Sequence, residues 1–374
     1  MTADQATADR TAADRPGAGS AAEQHRAAAS ALTGLVRETR DRALAWTEDH
    51  LAGFVLPEDV LEPHTKVDHT LKPLGELAQL CGTVHRVAAP DDPAHATADR
   101  LVAFAWEQTR SGRLLWELLR SEPFAAYPFE IYAAFAGHGL RHEGFERLAR
   151  RIAATRGWAC TEQHANRQLG LINAERRVGI TPHADAEAVL RRSWLGGLSE
   201  PWMLERSSGY SLTHAAYHVT DWGIAPERMP ADLDLYLRTW LPPWVDGCLE
   251  NVQWDLTGEL LAVAASLPDA PPVDLLAEAW PVLARVQHPD GSLPETGPPV
   301  VPRDGADADP YPFLACYHST LVTAFAAALT VARLEGSPAP PTPAPPTPAP
   351  PTPAATPPAA TTSAATTSER KQSA

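Results

Sequence analysis

The sequence predicts an all-α fold, and three observations carry that prediction. Nearly every periodic segment repeats its apolar residues at intervals of three and four, which collects them on one face of a helix. Most of these segments stop at Gly or Pro, where helices end. Runs of alternating β-branched residues, the mark of strands, are missing. With 44% apolar residues and 11 tryptophans, the 374-residue chain carries enough hydrophobic surface for a sizeable core.

The helical segments follow in order. "HRAAASALTGLVRETRDRALAWTEDHL" (25–51) and "KPLGELAQLCGTVHRV" (72–87) come first, and residues 97–120 read as one long helix. Residues 129–139 end on a His-Gly pair, and 143–157 carry "RLARRIAATR", whose arginines recur at helical spacing as a solvated face. Segments 166–179, 184–197 and 210–223 each stop at Gly, and 231–251, 256–267, 273–287 and 313–334 complete the set of about twelve. Connections are mostly short, so consecutive helices are antiparallel neighbours. Six such hairpins either stack as an open superhelix or close into a ring with inner and outer layers. No fixed sequence period is present, which favours the closed ring, an α/α toroid.

The expected domain covers residues 23–335. Residues 1–22 are small and polar without apolar periodicity, and read as disordered. Residues 336–374, "SPAPPTPAPPTPAPPTPAATPPAATTSAATTSERKQSA" after Gly336, read as a disordered, polyproline-like tail. Such a tail is a spacer, a partner ligand of PxxP type, or an unconstrained end.

The balance of 31 basic and 46 acidic residues, a net charge of −15, argues against nucleic acid or an anionic membrane as partner. No apolar run approaches the length of a membrane span, and the N-terminus lacks the apolar core of a signal peptide. The four cysteines are scattered, with no CxxC pair. A soluble, reduced, cytoplasmic protein is expected.

"WPVLARVQHPDGSLPETG" (280–297) runs from a helix into Gln-x-x-Asp-Gly-Ser. Gln287 is placed to cap a neighbouring helix end, while Asp290-Gly291 supplies a turn with positive φ. The segment resembles the helix-end turn of α/α-toroid proteins such as squalene–hopene-type terpene cyclases and protein prenyltransferase β subunits. In the cyclases an aromatic follows, where this chain has Leu293. "PYPFLACYHSTLVTAFAAAL" resembles the Tyr-His-Thr helix of the prenyltransferase β subunits, which implies His318 as a zinc ligand. The same resemblance would place Asp246 and Cys248, in "DGC", as the other ligands. Lanthionine cyclases are also zinc-bearing rings, but their Cys-His-Gly signature is missing here. "LTHAAYHVTDWG" with "CYHSTL" resembles an uncharacterised actinobacterial toroid family found among genes for peptide natural products, over about residues 25–334. The Ala, Arg, Asp and Pro bias likewise resembles a high-GC actinobacterial genome.

"SLTHAAYHVTDWG" (211–223) holds the strongest local cluster. On a continuous helix His214, His218 and Asp221, at i, i+4 and i+7, share one face. Either the two histidines converge on zinc, or one works as a base with Asp221 fixing its tautomer and Tyr217 donating, or all three are a polar seam bonded to the backbone. His318, with Tyr317 and Cys316, joins them if the last inner helix faces the same cavity. Asp255 and Glu259 are also i, i+4, and form a carboxylate–imidazole system with the histidines; alternatively Asp255 is a helix N-cap and Gly258 permits close packing. Tyr210, Trp222, Trp254 and Tyr317 are the candidate substrate-binding aromatics. His138 and His142, separated by Gly139, read as structural.

No phosphate loop, Gly-x-Ser-x-Gly elbow, His-Glu-x-x-His or Asp-rich magnesium cluster is present, which argues against nucleotide-driven chemistry, serine hydrolysis and terpene cyclisation. No cofactor is expected; zinc, if bound, would take His214 and His218, or Asp246, Cys248 and His318. Through the resemblance, the expected function is that of a cytoplasmic enzyme or enzyme-complex subunit in specialised metabolism. It would mature a ribosomal peptide by lanthipeptide-like cyclisation or elimination. The alternatives are a non-catalytic peptide-binding scaffold working beside partner enzymes, and a zinc-dependent prenyl-type transferase.

Overall fold

The computed structural model describes residues 18–62, 65–298 and 311–336, with side chains from residue 27 onward. Among the described residues there are fourteen α-helices, five short 3-10 helices and no strand, so the chain is all-α as expected. The order is α1 (Ala18–Asp49), α2 (Leu71–Val87), α3 (Pro93–Gln108), α4 (Arg113–Ser121), α5 (Tyr127–Gly137), α6 (Glu143–Ala153) and α7 (Arg156–Ala159). It continues with α8 (Ala165–Val178), α9 (Ala186–Leu190), α10 (Arg206–Val219), α11 (Ala231–Glu250), α12 (Trp254–Ala265), α13 (Val273–Val286) and α14 (Tyr317–Leu334).

Packing runs in a closed cycle. Helix α2 packs on α5, α5 on α8, α8 on α10, α10 on α12, α12 on α14, and α14 returns to α2. Outside it, α1 lies on α14 with α13 and α3 beside it, α4 covers α5, α9 covers α8, and α11 covers α12. Sequence explains which helices go inside. Every residue of α12 is buried, as is every residue of α14 from Tyr317 to Val331 except His318. A helix apolar on all sides is stable only when surrounded. The polar exceptions are mostly hydroxyls that bond their own helix: Thr257, Thr320, Thr323 and Thr330 each donate to the carbonyl four residues back.

Several expectations change in detail. Helix α1 begins at Ala18, so residues 18–22 are helical rather than disordered. The rest of the expected disordered ends, 1–17 and 337–374 with the proline-rich tail, lies outside the described residues. The single helix expected over 97–120 is broken between α3 and α4, where Arg110, Ser111 and Gly112 all adopt left-handed φ of 54°, 53° and 83°. Segment 184–197 shortens to α9 because the chain after Leu190 folds back on itself; a Cβ at Gly196 would lie 1.9 Å from the Leu190 carbonyl oxygen.

The Gln-x-x-Asp-Gly-Ser turn follows α13 and pins it to α1. Gln287 Nε2 donates to the carbonyls of Thr39 (3.1 Å) and Gly291 (2.9 Å). Thr39 lies well inside α1, so Gln287 clasps the flank of that helix rather than capping an end. Gly291 has φ +101°, and a Cβ there would meet the Arg42 carbonyl oxygen at 2.2 Å. Only glycine fits so close a crossing of two backbones.

Candidate active site

A cavity of about 340 Å³ sits inside the cycle, and all six of its helices line it. Each contributes a polar side chain: Glu76 from α2, Glu130 from α5, Arg177 from α8, His218 from α10, Glu259 from α12 and His318 from α14. Ile131, Tyr217, Trp222, Val322 and Phe325 supply the apolar wall.

On one side the polar groups converge around His318. Its Nδ1 lies 2.9 Å from Glu76 Oε2, and its Nε2 lies 3.5 Å from Asp255 Oδ1 and 3.6 Å from Glu259 Oε1. His214 Nε2 approaches the same Glu259 oxygen at 3.5 Å. The i, i+4 spacing of Asp255 and Glu259 on α12 sets both carboxylates on one face, with Asp255 2% and Glu259 1% exposed. Gly258 between them lets α14 approach; a Cβ there would lie 3.0 Å from Val322.

Their environment splits the two carboxylates electrostatically. Burial pushes Asp255 above the usual carboxylate range. Burial would do the same to Glu259, but His214 and His318 outweigh it and hold Glu259 below. Burial would lower His318, yet Glu76 and Asp255 outweigh it, so the imidazole's pKa stands well above its ordinary value. The cluster thus sets an imidazole of raised pKa among three carboxylates, with Asp255 pushed up and Glu76 and Glu259 held down.

The lining around Glu130 is built differently. Glu130 pairs with Arg167 at 3.1 Å through Oε2, while its buried Oε1 has no hydrogen-bond partner. Burial raises the Glu130 pKa. Gly170 is what allows this packing: a Cβ there would lie 2.7 Å from Glu130 Oε1 and 3.1 Å from His218 Nε2. Burial, helped by His214 nearby, pushes His218 down to about 3, so its ring is neutral at ordinary pH.

The structure thus redistributes the residues singled out in sequence. His214, His218, Tyr217, Trp222 and His318 line the cavity, and Asp255 reaches the cluster from behind. Tyr210 approaches through its hydroxyl, which donates to Asp255 Oδ2 at 2.7 Å. Tyr217 gives its hydroxyl to the Glu259 backbone carbonyl at 2.8 Å, so it is a wall rather than a donor to ligand. Asp221 does not orient either histidine. Helix α10 ends at Val219, and Asp221 turns away with left-handed φ 51° to pair with Arg177 Nε at 2.7 Å and Arg86 Nη1 at 3.7 Å. The same turn, with Trp222 at φ 61° and Gly223 at 82°, stacks Trp222 on Tyr217 at 5.0 Å between ring centroids.

Trp254 and Tyr317 are not cavity aromatics. The Trp254 indole donates to Gly297 O at 2.6 Å, and Tyr317 stacks on Phe313 at 5.1 Å. Asp255 is not a helix cap, since Gln253 holds that position for α12. The Asp246–Cys248–His318 set is not assembled either. Asp246 and Cys248 sit on α11, outside the cycle, with Asp246 exposed and neither lining the cavity. Nor do His214 and His218 present a closed pair, their rings lying 6.4 Å apart at 72°. His142 is structural as expected: its Nδ1 accepts from Phe145 N at 3.0 Å and starts α6.

Glu76, Glu130, Arg167, Arg177 and Thr213 escaped the sequence reading. The signal was present as a polar stripe: Lys72, Glu76 and Gln79 recur at helical spacing on the mostly apolar first turns of α2. Asp255, Glu259 and His318 bring one carboxylate or imidazole atom each within 4.8 Å of the others, close enough for one cation. His85, Asp99 and His138 do the same at the surface.

Residues 40–328 match a family described as a domain of unknown function, DUF6895. The chain belongs to it. The match takes in every cavity-lining helix of this DUF6895 chain and all the residues around His318. Neither the curated proteins nor the solved structures provide a match. No described helix is long and apolar enough to cross a membrane.

Proposed function

We propose that the chain is an enzyme whose reaction centre is the Asp255–Glu259–His318 cluster. The observation that supports this reading is the convergence of those three groups, with His214 and Glu76, at a cavity lined by six helices. We read the closed cycle as the inner ring of an α/α toroid. A space of about 340 Å³ is at the small end for ligand sites, so it takes a small molecule, a single side chain or a chain end. Its mixed lining, apolar around Trp222 and Phe325 and charged around His318, suits a substrate with an apolar body and a polar reacting group.

The clustered carboxylates and imidazoles are placed to exchange protons with a bound substrate, Glu259 and His318 from the cavity lining and Asp255 from behind it. Maturation of a ribosomal peptide, by lanthipeptide-like cyclisation or elimination, is a reaction of this kind. Both need a proton removed or delivered beside one side chain, and the cavity admits a side chain. The free thiols of Cys81, Cys160 and Cys248 suit a reducing compartment, and we place the protein in the cytoplasm.

The test is consumption of substrate. Purified protein is incubated with small-molecule and peptide extracts of its source cells, and mass spectrometry follows which species change. A species altered by the wild type and left intact by Glu259→Gln supports the reading. Equal alteration by that variant, or no alteration in any extract, overturns it.

A further inference from the structure

We infer that the same cluster is a binding site for one divalent transition-metal ion, held by Asp255 Oδ1, Glu259 Oε1 and His318 Nε2. The inference rests on the reading of this cavity as the reaction centre and adds the cofactor class.

Three features of the geometry carry it. The first is spacing. Bonds of about 2.0–2.2 Å to a common ion set neighbouring ligand atoms roughly 3.0–3.6 Å apart. The His318–Asp255 and His318–Glu259 separations are 3.5 and 3.6 Å, too long for hydrogen bonds of normal length, and all three donor atoms lie within 4.8 Å of one another.

The second is the way each donor is held. Every one of the three residues has its other polar atom tied by a neighbour. The Tyr210 hydroxyl donates to Asp255 Oδ2 at 2.7 Å, the Thr213 hydroxyl donates to Glu259 Oε2, and Glu76 Oε2 holds His318 Nδ1 at 2.9 Å. One atom of each residue is thereby left facing a common point. A carboxylate behind a ligand histidine, and hydrogen bonds behind ligand carboxylates, are how proteins fix metal donors in place.

The third is an orphan. Asp255 Oδ1 is buried, on a residue only 2% exposed, and makes no hydrogen bond. Leaving a carboxylate oxygen buried and unbonded costs stability, and a cation removes that cost.

The donor set fixes the class of ion. Two carboxylate oxygens with one imidazole nitrogen, and no thiolate, suit Zn²⁺, Mn²⁺ or Fe²⁺ rather than a soft Cu(I) or an all-oxygen Ca²⁺ site. Three firm ligands and a face open to the cavity match the pattern of metal sites that also bind substrate.

The experiment needs no substrate. Chelator-treated protein is titrated calorimetrically with Zn²⁺ and with Mn²⁺, and Co²⁺ binding is followed by its visible absorption. One tight equivalent is expected in the wild type, lost in Asp255→Asn and in Glu259→Gln. Tyr210→Phe and Thr213→Val should fold normally and bind roughly 10–100-fold more weakly, with Thr213→Ser restoring affinity. These two serve if the carboxylate variants fail to fold. His138→Ala, which dismantles the surface cluster, should keep the tight equivalent. No tight binding of any of the three ions by the wild type overturns the inference. So does unchanged affinity in Tyr210→Phe and Thr213→Val, or loss of the equivalent in His138→Ala alone. Failure of this titration leaves the proton-transfer reading intact, and tight binding without substrate turnover leaves the metal site intact.

Discussion

Glu76 and His318 stand 242 positions apart in the chain, and their side chains meet at 2.9 Å where α14 returns to α2. The bond joins the first and last helices of the cycle. Replacing Glu76 with alanine should cost about 1.5–3 kcal/mol, the usual range for a hydrogen bond to a charged group. Urea unfolding of Glu76→Ala, His318→Ala and the double variant checks this. The double variant should be less destabilised than the sum of the two singles, as expected of partners in direct contact.

Asp221 gives a pH-dependent outcome. Burial would raise its pKa, but Arg177 and then Arg86 outweigh that and hold it below the ordinary value. A carboxylate depressed in the folded state contributes stability above its unfolded pKa of about 3.9, and loses it as pH falls through the folded value. Asp221→Asn should therefore be about 3–5 kcal/mol less stable than wild type at pH 7, since two buried guanidiniums lose their partner. The gap should narrow steadily below about pH 4. Unfolding midpoints of both proteins from pH 7 to pH 3 decide it, and a gap that stays constant would contradict the pairing.

Gly291 and Gly139 separate backbone strain from collision. Both have left-handed φ, +101° and +86°, but nothing lies within 4 Å of a Cβ at Gly139, whereas one at Gly291 would strike the Arg42 carbonyl. Gly139→Ala should cost about 1 kcal/mol or slightly more from conformation alone. Gly291→Ala should cost several times as much, because α13 must move off α1. Thermal melts of the two variants measure the difference.

Gly170 lines the cavity where Glu130 and His218 meet. Alanine there would place a methyl group 2.7 Å from Glu130 Oε1 and 3.1 Å from His218 Nε2. Turnover of a substrate found as above should fall by tenfold or more, while metal affinity at the Asp255–Glu259–His318 cluster stays within twofold, roughly as expected of a blocked pocket with intact ligands. Equal loss of both would show that the change had spread through the fold.

Cys248 should prove inert. Burial pushes its thiol up to about 11, so little thiolate exists at neutral pH. Cys248→Ser should leave metal content unchanged, and a thiol reagent should modify the exposed Cys160 well before Cys248.

The helices were legible because periodicity is local, and the pairing of Asp255 with Glu259 was legible for the same reason. Where the reading went astray, the cause was local chemistry that periodicity does not report. The i+7 extension to Asp221 assumed a helix that Val219 ends, and two left-handed residues then point the carboxylate at Arg177. Glu76, Glu130 and Arg177 were invisible as a site because each is unremarkable on its own helix. They become a site only when the inward face of each ring helix is known, and that face is set by contacts between helices distant in sequence. Trp254 and Tyr317 look like ligand-facing aromatics in sequence, yet their partners are Gly297, in a loop, and Phe313, in the short 3-10 turn ahead of α14, and periodicity reports neither pairing.

Because α14 lies between α1, α2 and α12, the element that ends the described chain also supplies His318. A nascent polypeptide that has emerged only as far as α13 holds Asp255, Glu259 and Glu76 with nothing to gather them. The proposed reaction centre is thus born last, at the moment the growing chain seals its own circle, and a message cut short before Tyr317 yields a protein that lacks both His318 and the helix that closes the cycle.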